Sequence, residues 1–302
     1  MGADANIQAC EFVPHRTLAQ AMVASTSGGF AVVPYYNLIE GLIQETLDLL
    51  IEHNLTVLAA MQLPVRFAIG GFVPDANINC NANVGSCTNL TWPVASEVPI
   101  FSHPKGLAQC SAFLQKNIPA STQHELTSTA QAARQVAESR FGLAIACRET
   151  LEQFGLPVLC DDIGNRLYSR CNCTEFLLVG RQDATISMRP KEIVKRQKRT
   201  LIAIVPVADR VGLLAEILGQ IAFFGINLLK IHSRPAPTDD DGPAPQMFYL
   251  ETDAPIDSPE LRLCFETLEM RLAKQNNTDR VGKYNVVRVL GGYELLLCQS
   301  GH

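Results

Sequence analysis

The chain lacks the marks of several large protein classes. No apolar run reaches the ~18 residues that cross a bilayer as a helix, so no transmembrane helix is expected. A basic surplus is missing too. Against 30 Asp and Glu there are 25 Lys and Arg, giving a net charge of −5, which argues against nucleic acid or an anionic membrane as partner. The longest basic cluster, Lys191 to Arg199, reads as a solvated connector. The opening MGADANIQACEF has neither a charged leader nor an apolar stretch, so no secretory signal is expected and a cytoplasmic location is. The ten cysteines then read as reduced thiols, and the four Asn-x-Thr sites carry no glycosylation meaning. Cys171-Asn-Cys173 is too tight for a metal knuckle and no second one follows, so no metal site is expected. The lone tryptophan, Trp92, is read as a packing residue under an Asn-rich loop.

What remains is 302 residues, 47% apolar and 18% charged, enough for two domains with separate cores. Phe30 to Pro34 reads as a buried strand, Ile39 to Ile51 carries apolar residues at helical spacing, and Leu55 to Met61 is a second apolar run. Residues 72–94 have little periodicity and read as a surface loop. The pattern then repeats. Strands are expected at Pro99 to Phe101, Leu143 to Ala146, Val158 to Cys160 and Thr174 to Val179, with helices at Leu107 to Leu114 and Thr129 to Glu138. Such alternation argues for α/β layers around a mostly parallel sheet. Periodicity stops between Arg181 and Arg199. Beyond it a βαββαβ order follows: strand 200–207, helix 212–224, strands 226–231 and 247–252, helix 258–274, strand 284–290. Four strands with two helices on one face is the ferredoxin-like arrangement.

Several short motifs occur in one order along the chain. Ser102-His-Pro-Lys-Gly-Leu-Ala-Gln-Cys110, Ser128-Thr-Ala-Gln-Ala-Ala133, Pro34-Tyr-Tyr-Asn37 with Gly41 and Thr46 to Leu50, and Asn172-Cys-Thr-Glu-Phe176 resemble the motifs of prephenate dehydratases. Gly212-Leu-Leu214 and Ser233-Arg-Pro235 look like the regulatory motifs of the ACT domain that follows in that family. The resemblance implies a two-subdomain, periplasmic-binding-protein-like catalytic region with a cleft over 1–180, a linker at 181–199, and an ACT domain over 200–296. It implies loss of water and carbon dioxide from prephenate to give phenylpyruvate, in phenylalanine biosynthesis. No cofactor is implied, because aromatisation drives the loss.

The same resemblance assigns roles. Thr174 is the acid or hydrogen-bond donor at the leaving hydroxyl, while Asn37, Ser102 and Gln109 orient the substrate. Ser128, Thr129, Phe176 and Tyr36 line it, although Ser128 and Thr129 also suit a helix cap. His103 is read as a loop hydrogen-bonding group. Gly212, Leu213, Leu214, His232, Ser233, Arg234 and Pro235 hold phenylalanine or a similar effector in a homodimer or homotetramer.

Several departures stand out. Glu175 occupies the place of the family's arginine, and a glutamate close to a dianion would oppose it. Side chains alternate along a strand, so Glu175 is expected to leave the aim of Thr174 unchanged. Tyr36 replaces an acidic residue, and His232 replaces a glutamate in the effector motif. The family's first strand has no counterpart before Glu11, and Ala5 to Cys10 resembles a remnant of the helix after it. These changes leave two alternatives: a non-aromatising prephenate decarboxylase, and an inactive amino-acid sensor.

Overall fold

The computed structural model describes residues 11–72, 97–165, 172–183, 195–206, 209–236, 244–274 and 286–297. In chain order its elements are α1 (Leu18–Ser25), β1 (Ala31–Asn37), β2 (Gly41–Leu42), α2 (Gln44–Glu52), β3 (Leu55–Pro64) and β4 (Ala68–Phe72). Next come β5 (Pro99–Ser102), α3 (Pro104–Gln109), α4 (Ser111–Asn117), β6 (Thr122–Glu125), α5 (Thr129–Ser139) and β7 (Gly142–Ala146). The rest are α6 (Arg148–Gln153), β8 (Val158–Cys160), β9 (Cys173–Arg181), β10 (Lys195–Ile204), α7 (Leu213–Phe223), β11 (Leu228–Pro235), β12 (Gln246–Thr252), α8 (Pro259–Lys274) and β13 (Val287–Leu297). The Asn-rich segment beyond Phe72, Trp92 with it, and the fragment Ala5 to Cys10 lie outside the described residues.

Contacts divide the chain into two compact units, Met1–Leu63 with Glu175–His302, and Pro64–Thr174. The division differs from the boundary expected at 181–199. Its physical cause is strand pairing: β13 lies parallel to β3, with Leu295 opposite Ala60. The expected linker also ends early, because Lys195 already pairs with Leu297 in the ladder of β10 and β13.

In the unit Pro64–Thr174 the sheet order is β6-β5-β7-β4-β8. It is mixed rather than mostly parallel: β5 runs parallel to β6 and β7, and β4 antiparallel to β7 and β8. Strand β7 is buried on both faces. Leu143 and Ile145 pack into a core with Leu107 and Leu114, while Ala144 and Ala146 meet Ala132, Ala133 and Val136 of α5. Alanine on that second face lets the helix lie close to the sheet. The helix expected over Leu107 to Leu114 is broken at Cys110. Asn165 splints the break: its Oδ1 accepts from Ala112 N at 3.2 Å and its Nδ2 donates to Ala108 O at 3.2 Å. Backbone groups orphaned at two helix ends are thereby satisfied.

The other unit has an eight-stranded sheet, β11-β12-β10-β13-β3-β9-β1-β2. Its first four strands with α7 and α8 realise the expected βαββαβ order. Parity along β10 decides which core each residue joins. Ile202 and Ile204 pack beneath the helices with Ile217, Leu261 and Leu268. Leu201 and Ala203 face Val33, Tyr35, Leu177 and Tyr249. The second face is concave, since Lys230 of edge strand β11 lies 4.5 Å from the ring centre of Tyr36 on β1, near the far edge. Strand β13 continues seven residues past the expected end, through Gly291 and Gly292. A Cβ on Gly291 would stand 2.4 Å from Val57 O, so only glycine lets β3 lie that close. Among the described residues no helix is long and apolar enough to cross a membrane.

Candidate functional site

In the unit Pro64–Thr174, Ser102 ends β5 and is fully buried. Its hydroxyl donates to Ile145 O at 2.8 Å, tying β5 to β7, and a Cβ on Gly106 would come within 2.5 Å of it. Glycine at 106 is what lets α3 start directly above this serine. His103 caps that helix, its Nδ1 accepting from Lys105 N at 3.1 Å, in line with the loop role. Gln109, half-buried at the end of α3, accepts at Oε1 from Asn172 Nδ2 at 3.0 Å. Two motifs distant in sequence therefore meet. Asn172 is buried, and its Oδ1 has no protein donor. Its place in the motif at 172–176 is the one sequence signal that marks it. Thr174 stands half-buried at the start of β9, two residues on.

Ser128 is the N-cap of α5. Its Oγ accepts from Gln131 N at 3.0 Å, and the Gln131 side chain reaches back to Thr127 N at 3.2 Å. That reciprocal pair is close to a capping box and accounts for Ser128 locally. Thr129, half-buried, opens the helix.

In the other unit, Asn37 ends β1. Its Oδ1 accepts from Ile39 N and Glu40 N, both at 3.0 Å, and so shapes the turn into β2. Phe176 is half-buried on β9. Tyr36 and Glu175, the two departures from the catalytic motifs, both contact Lys230. Glu175 is 6% exposed, and its Oε2 accepts from Lys230 Nζ at 2.5 Å while Oε1 lies 3.4 Å from Arg199. Glu251, with no exposed surface, shares both cations, at 2.6 Å from Arg199 and 2.8 Å from Lys230. Tyr35 and Tyr293 donate to the Glu251 carboxylate at 3.2 and 3.0 Å. Two carboxylates and two cations thus form a neutral buried cluster. The charge of Glu175 is thus balanced in place by Lys230 and Arg199.

The electrostatics follow from burial and pairing. Burial opposes ionisation of Glu251, but Lys230 and Arg199 outweigh it and hold the carboxyl below its ordinary range. Burial first, and Glu251 second, push the Tyr35 and Tyr293 phenols well above theirs. Among these groups only Glu175 carried a sequence signal, as a motif departure. Lys230 and Glu251 lie within otherwise apolar strands, which hints at inward polar groups but names no partner.

Of the effector residues, Gly212 caps α7 with φ +81°, a left-handed value that glycine adopts without strain. Leu213 is buried in the helix-side core and Leu214 is partly exposed. Along β11, His232 and Arg234 point inward while Ser233 and Pro235 are exposed. Arg234 pairs with Asp48 of α2. Burial and then Arg234 lower the pKa of His232, with Asp48 opposing.

The prephenate dehydratase family profile matches residues 3–184. The prephenate dehydratase of Bacillus subtilis is 28% identical over 291 residues, covering 94% of this chain and 90% of that protein. The chain spans only about half the length of the bifunctional chorismate mutase/prephenate dehydratases it matches, 51% for that of Aquifex aeolicus. Among solved structures, the prephenate dehydratase of Arthrobacter aurescens in complex with L-Phe superposes with a TM-score of 0.68 at 24% identity, over 93% of this chain and 80% of that one. GqqA, described as a novel type of quorum quenching acylase, superposes at 0.66 and 20% identity, over 94% and 89%. At such identities the superpositions show the fold alone.

Proposed function

Because the chain belongs to the prephenate dehydratase family, we propose that it converts prephenate to phenylpyruvate, losing water and carbon dioxide, and senses phenylalanine or a similar amino acid through an ACT domain. The observation that carries this reading is the meeting of Gln109 with Asn172, two residues before Thr174. Residues of two motifs are built into one hydrogen-bonded group, as a retained site requires.

Thr174 offers a hydroxyl to the leaving oxygen, and neutral donors hold the carboxylates without competing for the proton. The oxygen of Asn37 shapes the turn into β2, and the residue is assigned to orienting the substrate by its place in the motif. Ser102 holds β5 and β7 together and acts by fixing the loop that follows. With Glu175 paired to Lys230 and Arg199, binding of a dianion is unopposed by its charge, which is compatible with either reaction of prephenate. Effector sensing falls to Gly212, Leu214 and the β11 residues Ser233 and Pro235, in a cytoplasmic homodimer or homotetramer.

The test is product identity from prephenate. Phenylpyruvate, read as its enolate absorbance in alkali, is the expected outcome. A product retaining the non-aromatic ring and hydroxyl would select decarboxylation instead. Phenylalanine binding without turnover would select a sensor. A fold shared with a protein described as an acylase makes this measurement necessary.

A further inference from the structure

Strand β11 and the strands bearing two candidate catalytic residues are joined through one side chain. We propose that Lys230 is a positioning residue, through which the state of β11 is passed to Thr174 on β9 and Asn37 on β1; this rests on the function proposed above.

Lys230 belongs to the βαββαβ part of the sheet, yet its head group also reaches strands outside it. Nζ lies 2.5 Å from Glu175 Oε2, and 4.8 and 4.5 Å from the ring centres of Tyr35 and Tyr36. Glu175 follows Thr174 directly in β9, and Tyr36 precedes Asn37 directly in β1. Both positions where the sequence departs from its family's catalytic motifs therefore touch the same ammonium group. Arg199 reaches Glu175 only at 3.4 Å, so Lys230 is its principal partner. Glu251 fixes Lys230 from the neighbouring strand at 2.8 Å.

The geometry of β11 supplies the input. Alternation gives it two faces: Lys230, His232 and Arg234 inward, Leu229, Ile231, Ser233 and Pro235 outward. Arg234 repeats the arrangement of Lys230 two residues on, pairing with Asp48 of α2. Occupation of the outward face that tilts or shifts β11 moves these inward cations with it. Buried ion pairs have short, directional optima, so a displaced Lys230 carries Glu175 along or releases it. Either outcome moves the peptide unit next to Thr174.

The test uses the full chain and four forms: wild type, Lys230→Met, Lys230→Arg, and the double variant Lys230→Met/Glu175→Gln. The double variant keeps the cluster neutral, and so preserves a folded comparison should Lys230→Met fail to fold. Without any ligand, amide exchange in peptides covering 173–181 should quicken about tenfold in the double variant, while 246–252 stays protected. With prephenate, kcat should fall about tenfold and KM change less than about threefold. L-phenylalanine should still bind, by calorimetry, yet alter turnover less than about twofold, where wild type responds fully. Lys230→Arg should restore both the exchange pattern and the response. Wild-type exchange at 173–181 together with a wild-type response in the double variant would overturn the proposal. If the wild type neither turns over prephenate nor binds phenylalanine, the functional reading falls, and the exchange comparison alone decides whether Lys230 positions β9.

Discussion

Glu251→Gln isolates the electrostatic part of the buried cluster, because it removes a charge while preserving shape. The carboxylate receives Arg199 at 2.6 Å, Lys230 at 2.8 Å, Tyr293 at 3.0 Å and Tyr35 at 3.2 Å. An amide in its place offers one acceptor oxygen and turns an NH2 group toward donors. Two cations are then left with Glu175 alone, in a site where Glu251 has no exposed surface. Removing one member of a buried ion pair costs about 3–5 kcal/mol. For a protein of this size that corresponds to a drop of roughly 10 °C in thermal midpoint. Calorimetry and urea titration at neutral pH measure it, with Asp183→Asn, which breaks an exposed pair with Arg181, as a control expected to change nothing measurable. The pH dependence gives a second reading. Folding depresses the Glu251 carboxyl, so its stabilisation is present above the unfolded value of about 4.3 and is lost as pH falls through the lower folded value. The variant should lack that acid-side loss. A destabilisation under about 1 kcal/mol, the value of an exposed pair, would refute the reasoning.

Thr174→Val should abolish prephenate turnover with an unchanged circular dichroism spectrum; a variant that still turns over would remove the threonine from the chemistry. Gly291→Ala places a Cβ 2.4 Å from Val57 O and 2.8 Å from Val57 N, both backbone atoms, and should cost about 1–3 kcal/mol in urea titration. His232 has a folded pKa below its unfolded value of 6.5, so the fold favours the neutral ring. Its stabilisation is present above that value and lost as pH falls through the depressed one, and His232→Gln should flatten the stability profile below about pH 6.5.

Much of the fold was legible where period and punctuation agree. The order of β10, α7, β11, β12, α8 and β13 was read within a few residues at most ends, because each element has a clear apolar period. Elements without one were missed. Strand β6 is exposed at all four residues, β2 has two residues, and α1 is short. The break at Cys110 depends on Asn165, which lies far along the chain and leaves no local trace. Strand β13 was cut short because Gly291-Gly292 reads as a terminator, whereas here it is the gap into which β3 fits. The motifs located the candidate residues, but not that Ser102 is committed to Ile145 or Asn37 to its own turn. The pairing of Glu175 leaves no local trace for a related reason: its partners lie 24 and 55 residues away. Strand alternation predicts which face a side chain takes, never what waits there.

The pairing of β13 with β3 also sets an order of events during synthesis. Ala60 finds its partner only when Leu295 has emerged. At ~5–20 residues per second, the free edge of β3 waits tens of seconds on the ribosome. Contacts of such long sequence separation slow folding, and an unpaired apolar strand edge is a template for wrong partners. Yield in a heterologous host should therefore depend on chaperone supply and translation speed more than the stability of the finished protein would suggest.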